Sequence, residues 1–259
     1  MRVPPFHWWR TVFFLIPAIS VYTIVLGTLS VCSTVFDRRG HLAHGCARAW
    51  SWLILATTGV RVRVSGLERV PAGGTYLFVS NHQSIYDIPV IFASLPFQLR
   101  ITAKASLGRF PFLGWHLQRA GHLLVDRRNP DRSGILAGWR GLVSKGLSLI
   151  VFPEGTRSVD GRVGPFRAGS FLMALEVQLP IVPLAVVGSR HVMKKGRLMT
   201  CPGDVTLVVH DPIPAPLIDS PTVHDARELA RRVQDAVRAS VENADAAAAD
   251  GDRAVPARS

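Results

Sequence analysis

Two kinds of apolar spacing divide the chain. From Thr11 to Cys32 no residue carries a charge, and Val, Ile, Leu and Phe dominate. That length predicts a helix able to cross a hydrocarbon core of about 30 Å. Downstream, the apolar residues come in short bursts separated by Gly, Pro and charge. Val60-Arg61-Val62-Arg63-Val64 alternates with period two, as a half-buried strand does. Continuous strand-like runs follow at 75–79, 99–103, 122–125, 147–152, 181–187 and 205–210, while 132–144, 170–178 and 223–241 carry helical spacing. Strands alternating with helices predict an α/β domain with a mainly parallel sheet flanked by helices.

The same patterning sets an organisation. Residues 1–60 read as an N-terminal membrane anchor, with a transmembrane helix at about 11–32 and a second apolar stretch at about 49–60. The second stretch is too short to span, so it predicts an interfacial helix or the first core helix. The first run is longer than the roughly 7–15 apolar residues of a signal peptide and no A-x-A-like site follows, so an uncleaved anchor is expected. Trp8, Trp9 and Arg10 would meet one interface and Asp37-Arg38-Arg39 the other; basic residues at both ends leave the orientation open. Residues 61–241 form the expected catalytic domain. From 242 to 259, Ala and Asp prevail with little apolar bulk, which predicts a disordered tail.

Composition adds two constraints. Hydrophobic residues make up 48% of the 259, consistent with contact with lipid, and the net charge of +12 calls for a polyanionic partner: phospholipid, nucleic acid or a phosphorylated substrate. Cys32, Cys46 and Cys201 are scattered, with no C-x-x-C and no histidine at zinc-ligand spacing. Neither a disulfide framework nor a structural metal is expected, and a reducing compartment fits best.

Chemistry gathers at the ends of the predicted strands. Ser80-Asn81-His82-Gln83-Ser84-Ile85-Tyr86-Asp87 places an imidazole at a strand exit and a carboxylate five residues on, near a helix start. Read structurally, Ser84 to Asp87 is a capping box with Ser84 as N-cap and Asp87 at the third helical position. Read functionally, Asp87 holds His82 in one tautomer and stabilises its imidazolium while His82 takes a proton from a hydroxyl. Phe152-Pro153-Glu154-Gly155-Thr156-Arg157-Ser158 follows another strand, at the sheet edge where open α/β sheets bind ligands. Gly155 permits close backbone approach, Thr156 offers a hydroxyl, and Arg157 has the forked geometry for phosphate; a polar turn with a Glu154/Arg157 ion pair is the structural alternative. Lys104 and Arg127, followed by Arg128, stand at two further strand exits. If the strands are parallel, these cations and the His82/Asp87 pair line one pocket suited to an anionic substrate with a reactive hydroxyl.

In ordered combination these segments resemble the glycerolipid acyltransferase family, specifically the 1-acylglycerol-3-phosphate acyltransferases. Asn81 to Asp87 resembles the family's N-H-x4-D motif, Gly121 to Arg127 its second motif, Phe152 to Ser158 its third and Pro180 to Leu184 its fourth. Lys104, the Phe110 to Trp115 stretch and Phe166-Arg167-Ala168-Gly169 also fit. The His122-Leu123-Leu124 strand departs from the Ile/Phe-rich run more usual there. The resemblance implies a glycerol-3-phosphate acyltransferase-like fold and transfer of a fatty acyl group from acyl-CoA or acyl carrier protein to the sn-2 hydroxyl of a lysophosphatidate, giving phosphatidate. It implies His82 as general base, Asp87 as its orienting partner, and Glu154, Gly155, Thr156 and Arg157, with Arg127 and Lys104, as ligands of the acceptor phosphate. It implies no bound cofactor or metal, since the acyl thioester is consumed, and a membrane-anchored enzyme with its catalytic domain on the cytoplasmic face.

Three rival readings exist. A same-fold acyltransferase could use glycerol 3-phosphate or a lyso-aminolipid as acceptor. A non-enzymatic binder of membrane or nucleic acid would explain the charge and the anchor but not the motifs, and no nucleic-acid partner is expected. A hydrolase would let water replace the acceptor hydroxyl, but no G-x-S-x-G elbow accompanies it.

Overall fold

The computed structural model describes residues 5–37, 39–126 and 129–253. An apolar helical run, Phe6–Ser33, opens the chain; it is long and apolar enough to cross a membrane. It comprises α1 (Phe6–Arg10), a π-helical turn at Thr11–Leu15 and α2 (Ile16–Ser33). After a short connection α3 (His41–Thr58) returns beside it. The pair is stitched by Trp50 Nε1 donating to Thr23 Oγ1 at 3.0 Å, Tyr22 OH meeting Thr57 Oγ1 at 3.0 Å, and the Arg10 guanidinium donating to the Thr58 carbonyl at 2.7 Å. α3 begins eight residues before the apolar stretch expected at 49. Its first half is amphipathic, burying Ala43 and His44 and exposing Leu42, so apolar continuity alone hides its start.

The α/β domain then runs β1 (Val60–Ser65), β2 (Leu77–Ser80), α4 (Asp87–Ser94), β3 (Leu99–Lys104), α5 (Leu113–Arg119), β4 (Leu123–Val125), α6 (Arg132–Val143), β5 (Ser148–Val151), α7 (Gly169–Glu176), β6 (Ile181–Val187), α8 (Ser189–Val192), β7 (Gly203–Val209) and α9 (Val223–Arg253). The seven strands form one sheet in the order β1-β7-β6-β2-β5-β3-β4. All neighbours are parallel except β6 and β7. The carboxyl ends of β6, β2, β5, β3 and β4 therefore open on one edge, and β1 and β7 run the other way.

Each central strand is buried on both faces, which is why it reads as an unbroken apolar run. Phe78, Ile150 and Val182 join one core layer with Ile54 and Leu55 of α3, Val90 and Ile91 of α4 and Leu117 of α5. Leu77, Val79, Leu149 and Ile181 face the opposite layer, built by Trp139 of α6, Phe171 and Leu175 of α7, and α9. α9 lays Ala226, Leu229, Ala230, Val233, Val237 and Val241 into that layer at helical spacing. The helix continues to Arg253, so the disorder expected from 242 does not hold up to that point. The Ala-rich sequence there favours helix, since Ala is the strongest helix former.

The N-terminal run is fastened to this domain near both ends. The Thr200 amide donates to Thr11 Oγ1 at 3.0 Å, and Ser30 Oγ meets His116 Nδ1 at 2.5 Å.

Candidate active site

The parallel sheet brings the predicted residues to one edge. β2 delivers Asn81 and His82, its neighbour β5 delivers the Phe152 to Ser158 loop, β3 ends on Lys104, and β6 lies on the other side of β2. Asn81 is fully buried and acts as an extra rung: its side-chain Nδ2 donates to the Val186 carbonyl at 2.9 Å and its Oδ1 accepts the Val186 N–H at 2.8 Å.

His82 Nδ1 lies 2.8 Å from Asp87 Oδ2. An ionised carboxylate only accepts, so Nδ1 bears the proton and Nε2 keeps its lone pair for a substrate. The ring stacks on Phe152 with centroids 4.2 Å apart, and its side chain is 16% exposed while Asp87 is fully buried. Oδ2 of Asp87 also accepts the Gln83 and Ser84 amides at 2.8 and 3.0 Å. One oxygen thus serves both the histidine and the turn. Asp87 lies in the first turn of α4, which starts three residues after Ser84; the Ser84 hydroxyl instead donates to the Met193 carbonyl at 2.8 Å. The capping box expected with Ser84 as N-cap is not formed: the helix starts at Asp87 behind Tyr86, and only the bond from the Ser84 amide to the Asp87 carboxylate remains of it. The other carboxylate oxygen, Oδ1, receives the hydroxyl of Ser189.

The Phe152 to Ser158 loop grips the histidine's main chain. Glu154 Oε1 accepts the His82 N–H at 2.9 Å, and the His82 carbonyl accepts the Ser158 N–H at 2.7 Å. Glu154 faces the base rather than outward. Burial pushes its carboxyl up, against the pull of the backbone N–H groups of His82 and Gly164. Gly155 is required by its backbone: φ is +74°, and a Cβ there would stand 3.2 Å from the Arg167 guanidinium carbon.

Thr156 is exposed on this loop and Arg157 half-buried beside it. They are joined by a residue that the strand-exit argument passed over. Lys195 Nζ donates to Thr156 Oγ1 at 3.0 Å and to the Arg157 carbonyl at 2.8 Å. No carboxylate pairs with Lys195 or Arg157 among the described residues. Lys104 is exposed at the end of β3, and Arg127 lies outside the described residues. Ser189 and Lys195 both follow β6; the Gly188-Ser189 step after an apolar run and the Lys194-Lys195 pair were the available signals.

Beside the base turn lies an apolar cavity of about 170 Å³. Ile85, Ile88 and Phe92 line it from the α4 side, Leu113 and Leu117 from α5, and Trp50 from α3. The arrangement joins a base with one open nitrogen, an uncompensated cationic loop, and a greasy recess.

Residues 61–187 match the family model described as Acyltransferase. A chloroplastic 1-acyl-sn-glycerol-3-phosphate acyltransferase of Brassica napus is 34% identical over 183 residues, covering 69% of this chain and 53% of the plant protein. The Saccharomyces cerevisiae 1-acyl-sn-glycerol-3-phosphate acyltransferase is 34% identical over 162 residues, covering 61% and 53%. The chain thus spans about half the length of these curated relatives. The crystal structure of the 1-acyl-sn-glycerophosphate acyltransferase PlsC from Thermotoga maritima superposes with a TM-score of 0.72 at 25% identity, covering 88% of this chain and 95% of that one.

Proposed function

We propose that the chain is an acyltransferase of the family its residues 61–187 match, and that it transfers a fatty acyl group from an acyl thioester to the sn-2 hydroxyl of 1-acylglycerol 3-phosphate, giving phosphatidate. The observation that carries this reading is the His82–Asp87 pair, at the same sheet edge as the Thr156/Arg157 loop that Lys195 contacts, with Ile85 of its turn lining the apolar cavity.

His82 Nε2 takes the proton of the acceptor hydroxyl as its oxygen attacks the thioester carbonyl. Asp87 stabilises the imidazolium that forms. The attack forms the ester C–O bond and gives a tetrahedral intermediate; its collapse re-forms the carbonyl and breaks the C–S bond, and the imidazolium returns the proton to the departing thiolate. General-base catalysis is worth only about 10²–10⁴-fold. Positioning supplies more: the cationic loop holds the phosphate at a set distance from His82, and the cavity takes an acyl chain. Arg157, Lys195 and Thr156 are the phosphate ligands in this reading, with Lys104 and Arg127 as further cations of the same edge. Glu154 and Gly155 shape the loop and brace His82. The reaction so written needs no resident cofactor; acyl-CoA or acyl carrier protein is consumed.

The Phe6–Ser33 run, tied to the domain near both ends, lies along the domain's surface. We read it as the membrane anchor of the protein, with the catalytic domain on the cytoplasmic face where acyl thioesters are supplied.

The test is an acceptor panel assayed in lipid vesicles with acyl-CoA and with acyl carrier protein. Phosphatidate from lysophosphatidate is the expected product. Arg157→Ala should raise KM for lysophosphatidate by about 10- to 100-fold, the worth of a charge-assisted hydrogen bond. Acylation of glycerol 3-phosphate or a lyso-aminolipid without phosphatidate formation would overturn the acceptor assignment.

A further inference from the structure

We propose that Ser189 is a positioning residue of the acyl-transfer step, acting on the base through Asp87; the proposal rests on the reading of His82 as that base. Three of the four hydrogen bonds to the Asp87 carboxylate converge on Oδ2, from His82 Nδ1, Gln83 N and Ser84 N. The fourth, from Ser189 Oγ at 2.5 Å, is the contact to Oδ1. Carboxylate planes turn easily, because the torsion between sp³ and sp² carbon is broad. Turning about the Cβ–Cγ bond carries both oxygens together, so a donor on Oδ1 adds its hold on that torsion to the three on Oδ2. Ser189 therefore helps set the direction in which Oδ2 meets Nδ1, and with it the aim of Nε2 at the acceptor hydroxyl.

The fold builds this contact from a distance. β6 pairs with β2 in the register Ser80 to Leu184, and the Asn81 side chain locks Val186 beside the base turn. Gly188 then turns the chain at φ +89°, where a Cβ would stand 2.5 Å from the Asp204 carbonyl oxygen. Ser189 arrives fully buried against an equally buried Asp87. Electrostatics give the contact a second effect. A buried carboxylate needs hydrogen bonds to offset its lost hydration, and Ser189 supplies the one to Oδ1.

The competing role is structural: Ser189 would merely satisfy a buried oxygen, and its loss would weaken the fold while sparing turnover. Ser189→Ala and Ser189→Thr are compared in the wild-type and Asp87→Asn backgrounds, on whichever acceptor the wild-type enzyme acylates. Ser189→Ala should lower kcat by about 10- to 100-fold, the range for hydrogen bonds to charged groups, with KM for the acceptor within twofold. Ser189→Thr should restore most of kcat, and Ser189→Ala should add no loss once Asp87 is Asn. A substrate-free readout separates this proposal from the functional reading: the downfield proton resonance of His82 Nδ1–H should shift in Ser189→Ala and return in Ser189→Thr. Wild-type kcat in Ser189→Ala, an equal loss in both backgrounds, or an unmoved resonance would overturn it. If Ser189→Ala does not fold, Ser189→Cys, which keeps the size and weakens the donor, should show the same pattern to a smaller degree, and wild-type kcat there overturns it equally.

Discussion

His82 stands at the open edge of the sheet, whereas His44, His116 and His122 are gathered beneath the N-terminal helices around Arg100. Burial separates the two groups only modestly: the His82 side chain is 16% exposed, and the three others are exposed by 6%, 8% and 8% as whole residues. Their partners separate them fully. His82 has a carboxylate on Nδ1, so its cation would be stabilised as it forms. The charged neighbours that act on the cluster are Arg100, Arg48 and its own histidines, with no carboxylate among them. Burial, then Arg100 and Arg48, depress His44 to about 4; burial, then Arg100, depress His116 to about 4. His122 is pushed well below its ordinary value by burial, then by His116, Arg100 and His44. Such rings are held neutral, and His122 Nδ1 instead accepts the Ile101 N–H at 2.9 Å. A histidine becomes a base through what waits for its proton's charge, and an acidic neighbour distinguishes the two regions more sharply than exposure does.

The comparison can be broken most directly at the base. His82→Ala should cost about 10²–10⁴-fold in kcat with little change in melting temperature. Wild-type-like turnover there would move the base elsewhere, the cluster included. Next, Asp87→Asn should lower kcat by about 10²-fold or more, because the tautomer and the imidazolium both depend on it. A fall in melting temperature with kcat intact would instead leave Asp87 a helix cap alone.

The cluster answers in stability rather than rate. Its pKa values are lower in the folded chain than the 6.5 of an unperturbed histidine. Between pH 6.5 and about 4 the unfolded chain therefore binds protons that the native one refuses. Its contribution is complete above 6.5 and is lost as pH falls through that window, at up to about 1.4 kcal/mol per pH unit for each histidine. Urea titrations at stepped pH measure the slope. His44→Phe should remove roughly a third of that histidine contribution and leave kcat within twofold, the smallest effect of the set. A kcat loss matching that of His82→Ala would erase the distinction between the regions.

The strands were legible because a strand buried on both faces is an apolar run whatever its neighbours, and all seven lie within two residues of the runs read from sequence. Strand direction was not, since the reversal of β7 and β1 is settled by chain connections that leave no local signature. Helix starts failed where polar residues face the protein, as with His44 in α3, or where a capping hydroxyl is drawn to a distant partner, as Ser84 is to Met193. At the site, His82 and Asp87 were legible because five residues separate them and one turn contains them. Ser189 reaches Asp87 across 102 residues and Lys195 reaches Thr156 across 39, and no spacing rule encodes a contact made by sheet register. Glu154 was placed on the right loop, but the side to which its carboxylate turns depends on the His82 amide.

The fastening of the first helix has a consequence for anyone who would prepare the enzyme without it. Thr23, Leu26 and Gly27 of α2 form part of the wall of the apolar cavity, and Thr11 caps the amide of Thr200. Cutting the chain after Ser33 would open a greasy recess to water and strand a buried N–H. A shortened protein made for solubility would lose a side of that cavity, so under the proposed function attachment to the lipid and containment of the acyl chain become one engineering problem.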